Sequence, residues 1–461
     1  MKSAKISVLT ALMLALTTTF FYSCQKERHE PGLLSEESAS MSSHKPDDPG
    51  FAKNDMVMYW NEKTSTVLGA AMIQPNRARF FAIIQIAVHD ALNAIKPKYQ
   101  RYALVNEREQ FANPDAAVAS AAYWAIKGLN RQGSFPVDAW YTESLATIPD
   151  GESKELGKSI GKNSADAIIA NRVNDGFTQV IQVSTTPIDG DEPGEFRSPM
   201  MIVGGVPTYL NPPVKRIPNW GTVVKPYVAE SNDQFRPAAP YSVNSGDYTN
   251  DFIEIKSKGA REGSNRTMEE EKLARFWSEN RPSITWNNFA REVIKTKKID
   301  AWRTARLLAL VHVAMAESIN SAMNAGYHFY FWRPETGIRL AGNDGNDNTN
   351  ADANWMPFLN EVPNVFPTPP VPGYPNGYAA YGGAATEIIK SFFETDFTNI
   401  NLSSLTLPGI SMHFESVSQA ARDNSLSMIY AGWDFRKSAL VGEEMGIQIA
   451  NYVFMHAFKE E

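Results

Sequence analysis

The sequence predicts a mainly α-helical protein, made of two similar helix bundles packed together and one long, irregular, proline-rich excursion. Three observations support this fold class. Apolar residues recur at helical spacing over most of the chain. An amphipathic segment near the start of the chain resembles a second one further along. Between them, over residues 180–248, prolines are frequent and helical periodicity disappears.

The helical periodicity predicts helices over residues 72–95, 116–129, 136–148, 154–173, 268–279 and 286–296. The fourth of these is followed by Asn174-Asp175-Gly176, which is typical of a helix C-terminus. Within the excursion, Trp220, Tyr227 and Phe235 can act as apolar anchors. We therefore expect ordered, mostly irregular structure there.

The internal repeat pairs residues 78–90 with residues 305–317. Each segment starts with Ala-Arg and ends on a carboxylate, Asp90 in one and Glu317 in the other. An asparagine follows three residues later in both, at Asn93 and Asn320. These shared residues favour a duplication over a chance likeness of two amphipathic helices, so two similar bundles should pack side by side.

Residues 1–23 have the features of a signal peptide, because lysines precede a short apolar stretch. The stretch ends just before Cys24, the only cysteine of the chain, which is the position of the lipidated cysteine in bacterial lipoproteins. This predicts a lipid anchor in a membrane of the bacterial cell envelope, and favours the outer membrane. Ordinary secretion with an incidental cysteine is the alternative. One thiol excludes an internal disulfide, so stability must come from core burial.

Residues 24–50 are poor in apolar side chains and predict a solvated tether, followed by one folded domain over residues 51–461. The net charge of −7 argues against a nucleic-acid partner. The membrane is the expected partner, through the N-terminal lipid, and the sequence does not identify a small-molecule or protein partner.

The run Trp332-Arg333-Pro334 within residues 327–339 resembles the first active-site motif of the vanadium-dependent haloperoxidases and type-2 phosphatidic acid phosphatases. The resemblance extends over residues 56–453 and includes the excursion and residues 429–446. It implies a helical fold whose active site holds vanadate or a transferring phosphoryl group. Such a site needs cationic side chains, backbone N–H groups, a histidine that attacks or ligates, and a second histidine that moves protons.

In the first two motifs, the resemblance maps Arg333 onto the family's arginine and Gly377 onto its glycine. Gly326 stands where the family has a lysine. Asn376 replaces a serine, and Tyr378 replaces a histidine. The phenol of tyrosine has an ordinary pKa of about 10, so Tyr378 is a poor general acid or base near neutrality.

The third motif departs further. Met428 stands where the family has an arginine, Asp434 where it has its essential histidine, and Ser438 where it has an aspartate. A carboxylate beside a multiply charged oxyanion is repulsive, and a low dielectric strengthens the repulsion. We therefore expect no intact catalytic set and no cofactor. Vanadate is expected only if the chain is a divergent enzyme with a rearranged site, in which Asp434 could be a nucleophile.

Two other groups of residues are candidates for chemistry. His328 and His413 lie near the motifs in sequence, and either could supply an imidazole, although exposed or structural roles are favoured. The loop at residues 343–352 is rich in hard oxygen donors that suit Ca²⁺, with Asp344, Asn346, Asp347 and Asp352 as candidate ligands. Asx-rich turns give the same pattern without any metal.

The sequence leaves three functions open. The favoured one is an envelope lipoprotein that keeps the scaffold but has lost catalysis, and binds a ligand in the old cleft or none. The second is a divergent phosphatase or haloperoxidase acting on an oxyanion or phosphoester. The third is a scaffolding module of an envelope assembly. Fold resemblance alone does not choose among them.

Overall fold

The computed structural model describes residues 55–69, 72–181, 189–203, 206–209, 217–278, 281–359, 368–405 and 407–461. Within these ranges, residues from Pro49–Glu461 belong to one compact unit. The predicted signal peptide, Cys24 and the tether lie outside the described residues, so these remain predictions.

The described residues are mainly helical, as the sequence predicted. The fourteen α-helices are α1 (Asp55–Leu68), α2 (Gln74–Ile95), α3 (Pro114–Gly128), α4 (Val137–Ala146), α5 (Glu152–Arg172), α6 (Trp220–Val223), α7 (Gly246–Lys258), α8 (Met268–Ser278), α9 (Pro282–Lys297), α10 (Ala301–Phe329), α11 (Pro334–Leu340), α12 (Gly377–Phe393), α13 (Val417–Ala431) and α14 (Arg436–His456). The described residues also form two short 3-10 helices, Phe177–Gln179 and Ala341–Asn343. They form two antiparallel hairpins as well, β1 (Met200–Val203) with β2 (Val206–Tyr209) and β3 (Phe397–Ser403) with β4 (Ser411–Ser416).

The six helices predicted from periodicity are all present, with shifted ends. The largest shift is in α9, which begins at Pro282 rather than at residue 286. Proline is favoured in the first turn of a helix because its missing N–H would have no partner there. Helix α2 also has the length and apolarity of a membrane span, and that stretch is wholly buried in the core of the described structure.

The two bundles are built alike. Helix α2 packs on α3 and α5, while α10 packs on α12 and α14, and the two repeat helices α2 and α10 pack on each other. Helix α3 starts after Asn113, whose side-chain oxygen accepts a hydrogen bond from the Ala116 N–H. Helix α12 starts after Asn376, which caps the Ala379 N–H in the same way.

Paired glycines bring the third helix of each bundle against the second. An added Cβ at Gly157 in α5 would meet the carbonyl oxygen of Asn113, and one at Gly442 in α14 would meet that of Asn376. Four residues on, Gly161 and Gly446 are in equally close contact with α3 and α12. The duplication therefore extends to all three packed helices and places Asn376 at a rigid helix junction.

The carboxylates that end the sequence repeat have matching roles. Asp90 accepts hydrogen bonds from the backbone N–H groups of residues 102–104. Glu317 accepts them from the N–H groups of Tyr227 and Val228 at 2.5 and 2.6 Å, with Ala229 at 3.4 Å. Each carboxylate holds a non-helical segment against its bundle, which agrees with a packing role for Asp90.

The excursion is ordered where the structure describes it. Trp220 and Tyr227 are buried, and Phe235 packs against the core, as expected. The sequence did not predict the β1–β2 hairpin, because its strands are only four residues long. Backbone hydrogen bonds join Phe196 N–H to Tyr330 and Trp332 N–H to the Gly194 carbonyl. The excursion thus fixes the segment that leads into Arg333.

Candidate functional site

A cavity of about 310 Å³ opens beside Arg333, where α10, the start of α12 and the segment before α12 meet. Its polar side chains among the described residues are few, and Arg333 carries the only charge. The lining is otherwise mostly apolar, from residues 72–75, Ile217, Ile319, Ala322, Met323, Gly326, Tyr327, residues 369–372, Pro375, Gly377 and Tyr378. The sequence-matched positions Gly326, Arg333, Asn376, Gly377 and Tyr378 are therefore brought together around one cavity.

The guanidinium of Arg333 is held by protein partners. Nε donates to the Val371 carbonyl at 2.8 Å, and Nη1 donates to the Trp433 carbonyl at 3.0 Å. Nη1 also donates to Oδ2 of Asp434 at 2.9 Å. Both side chains of this ion pair are buried, with 6% and 0% of their surface exposed. The positive charge beside the cavity is therefore balanced from within the protein.

Asp434 lies in the turn between α13 and α14, behind the cavity wall. Its Oδ2 also accepts a hydrogen bond from Nδ2 of Asn376 at 2.6 Å. The Ser438 hydroxyl donates to the Gly373 carbonyl and lies 3.4 Å from Oδ1 of Asp434. Burial raises the pKa of Asp434 above its ordinary value, while Arg333, Asn376 and Ser438 oppose the rise. Because Oδ2 receives two donors, the surroundings suit the carboxylate form.

Asn376 links the cavity to the helix scaffold. Its Oδ1 accepts from the Ala379 N–H at 2.6 Å, so the same side chain caps α12 and binds Asp434. Sequence reasoning identified the position through the motif, but it did not predict this double role. The capping pattern, asparagine directly before a helix, was the signal that could have revealed it.

Two other motif-matched residues lie apart from the charged pair. Tyr378 lines the cavity, and its ring lies 6.0 Å from that of Trp433. Met428 is fully buried in the core and does not line the cavity. Neither side chain fills the space beside Arg333, and Gly326 leaves a further part of it open.

The candidate histidines are elsewhere. His328 is exposed at the end of α10, and His413 is exposed on β4, where its Nδ1 lies 3.1 Å from Oδ1 of Asn401. Neither lines the cavity as described. His312 is fully buried, and burial lowers its pKa to about 3, which keeps it neutral in the core.

The oxygen-rich loop at residues 343–352 is folded around its own hydrogen bonds. Asp344 accepts from the Asn346 N–H and from the Thr349 hydroxyl. The Asn346 amide donates to the Val243 carbonyl at 2.7 Å, and Asp352 accepts from the Asn354 N–H. Asp347 is not brought into a ligand set with them, since the described residues contain no group of three or more His, Cys, Asp or Glu side chains placed to hold a metal. The loop geometry is that of Asx turns.

Comparisons with known proteins agree with this architecture. A family model described as the VCPO second helical-bundle domain matches residues 306–460, which contain Arg333, Asn376 and Asp434. Vanadium chloroperoxidase from Curvularia inaequalis is 23% identical over 420 residues, covering 76% of this chain and 67% of that protein. The chain belongs to the superfamily of the vanadium haloperoxidases.

Solved structures of vanadium haloperoxidases match most of the chain. The first bacterial vanadium-dependent iodoperoxidase superposes with a TM-score of 0.72 at 21% identity, covering 89% of this chain and 98% of that one. The holo form of a bacterial vanadium-dependent chloroperoxidase gives a TM-score of 0.67 at 17% identity, covering 88% and 97%. At such low identity these likenesses establish the haloperoxidase fold and leave the chemistry of the cavity to its own residues.

Proposed function

We propose that this chain is a lipid-anchored binding protein of the bacterial envelope, which uses the haloperoxidase fold without its oxyanion chemistry. The observation that carries the proposal is the buried Arg333–Asp434 ion pair at 2.9 Å. The carboxylate of Asp434 is paired with the guanidinium of Arg333, which a bound oxyanion would need as its own partner. The anchor at Cys24 is part of the proposal and rests on the sequence alone.

Vanadate does not fit the residues that surround this cavity. A trianionic or dianionic guest leaving water requires several cations or strong donors around it. Here Arg333 and Asp434 together carry no net charge, and the remaining described lining is largely apolar. The space at Gly326 faces Pro372 and the Tyr374 carbonyl rather than a cation. The described residues around the cavity therefore support no catalytic step on vanadate or a phosphoryl group.

The geometry also weakens the divergent-enzyme alternative. An aspartyl nucleophile must reach its substrate, but Asp434 is fully buried and does not line the cavity. Its Oδ2 is taken up by Arg333 and Asn376. Among the residues that the structure describes, no specific contact favours the scaffolding alternative.

Vanadate titration by calorimetry and ⁵¹V NMR tests the proposal, together with halide oxidation in the presence of peroxide and hydrolysis of p-nitrophenyl phosphate. We expect neither binding nor turnover by the purified protein. Vanadate binding accompanied by halide oxidation would overturn the proposal. So would a phosphatase activity that Arg333→Ala and Asp434→Asn both abolish while the melting temperature stays nearly unchanged.

A further inference from the structure

The cavity beside Arg333 has the features of a site for a neutral organic molecule. Its volume is about 310 Å³, roughly twice that of the 150 Å³ apolar cavity that holds benzene in an engineered protein. By that comparison it fits a molecule of about 12 to 15 non-hydrogen atoms. A small pocket that is apolar except for a few fixed polar groups is the usual form of a small-molecule site.

The walls are stiff and offer few donors. Five prolines line the cavity: Pro75 in α2, and Pro369, Pro370, Pro372 and Pro375 in the segment before α12. Proline has a fixed φ and no N–H, so the chain is stiff at these five positions and they donate no backbone hydrogen bonds. Ligand polarity must therefore be met at the few polar positions of the lining.

One hydrogen-bond donor is left over at the charged end of the cavity. The hydrogen bonds that Arg333 makes to described residues use Nε and Nη1, which leaves Nη2 to donate to a bound molecule. The carboxylate of Asp434 balances the charge of the guanidinium. A carbonyl oxygen can accept from Nη2 without bringing a charge into apolar surroundings, whereas an anion would have to be desolvated against a neutral pair.

We propose that the cavity binds an uncharged, mainly apolar molecule with one carbonyl-type acceptor, such as a ketone, ester or amide, whose oxygen accepts a hydrogen bond from Nη2 of Arg333. The proposal rests on the proposed function, since it needs Arg333 to remain paired with Asp434. To a binding function it adds the class of ligand, an uncharged carbonyl compound, and the donor that recognises it, Nη2 of Arg333.

Three probes of nearly the same shape separate the alternatives at pH 7.5: 1-acetonaphthone, 1-ethylnaphthalene and 1-naphthoate. A hydrogen bond to a charged donor predicts that the wild-type protein binds the ketone about tenfold or more tightly than the hydrocarbon. The naphthoate should bind more weakly than the ketone. In Asp434→Asn, which frees a positive charge, that order should reverse in favour of the naphthoate.

A cavity-filling variant tests the location. A Cβ added at Gly326 would make only ordinary van der Waals contacts, the nearest at 3.8 and 4.0 Å, so Gly326→Leu should fill the cavity without destabilising α10. It should abolish ketone binding, and Ala322→Phe should do the same. Gly246→Leu is the matched control, because Gly246 is exposed in α7 with nothing within 4 Å.

The outcomes distinguish this inference from the proposed function. Equal binding of ketone and hydrocarbon, tightest binding of the naphthoate to wild type, or binding of none of the three probes would overturn the ligand class. So would ketone binding that survives both folded filling variants. In each case the absence of oxyanion chemistry would stand. Vanadate binding with halide oxidation would instead overturn the proposed function and this inference with it.

Discussion

The substitution Asp434→Asn isolates the role of the internal carboxylate. It removes one charge from a pair whose two side chains are 6% and 0% exposed, and leaves the Arg333 guanidinium buried without a counter-ion. Removing one partner of a buried pair costs about 3–5 kcal/mol. Asparagine has nearly the same shape as aspartate, and its side-chain oxygen still accepts a hydrogen bond. We therefore expect a loss of stability at the lower end of this range, about 3 kcal/mol.

That loss is measurable by thermal unfolding. The compact unit Pro49–Glu461 should have an unfolding entropy of about 0.9 kcal/mol per kelvin near 60 °C, so the melting temperature should fall by about 3 °C. In Asp434→Asn, the guanidinium of Arg333 is free to attract an anion. Vanadate or phosphate at about 100 times its dissociation constant should therefore raise the free energy of unfolding of this variant by about 2.7 kcal/mol. The wild-type protein should show no such stabilisation.

Asp175→Asn is the matched control. Asp175 is also buried and accepts from Nε of Arg79 at 2.7 Å and from Nε of Arg172 at 3.1 Å, away from the cavity. We expect it to lower the melting temperature without creating an anion response. The reasoning is refuted if vanadate stabilises the wild-type protein as much as Asp434→Asn, or if Asp434→Asn melts no lower than wild type.

Three further substitutions test the scaffold around the site. Glu317 is fully buried, and burial raises its pKa to about 7, so the folded chain keeps a proton that the unfolded chain loses above pH 4.5. The stabilisation that this proton gives the folded state is therefore complete below pH 4.5 and lost by pH 7, and it amounts to about 3 kcal/mol. In Glu317→Gln, the free energy of unfolding measured in urea should depend less on pH over this range. An unchanged pH dependence would contradict this. Asn376→Ala should lower the free energy of unfolding by about 2–4 kcal/mol, since it removes a helix cap and a hydrogen bond to a buried carboxylate. A decrease below about 1 kcal/mol, measured by urea unfolding, would contradict this. Gly442→Ala should cost about 3 kcal/mol because its Cβ meets the Asn376 carbonyl, while Gly246→Ala, with open space around it, should not lower stability in the same assay.

The helical fold was predictable because its signals are local. Apolar side chains recur at helical spacing where a helix packs on its neighbours, and this pattern located α2, α3, α4, α5, α8 and α9 to within a few residues. The duplication was visible in the carboxylates Asp90 and Glu317, but its extent was not. The glycines that bring α14 against α12 could not be recognised as packing residues from the sequence, because the backbone atoms they contact lie on another helix.

The site was only partly predictable. Motif spacing identified Arg333, Asn376 and Asp434 as candidates, and the structure shows that their side chains are in contact. From the sequence, we expect the carboxylate of Asp434 to lie beside a bound oxyanion and to repel it. The structure instead buries Asp434 and pairs it with Arg333, because the turn between α13 and α14 passes directly behind the guanidinium.

The sequence by itself determined the helices, their duplication and the single cysteine, because each depends on residue type and spacing along the chain. Only the tertiary structure decided that the remaining cation is neutralised from within and that an apolar, proline-walled cavity lies beside it. Charge balance and cavity shape arise from residues far apart in sequence, such as Arg333 and Asp434, whose distance is set by packing.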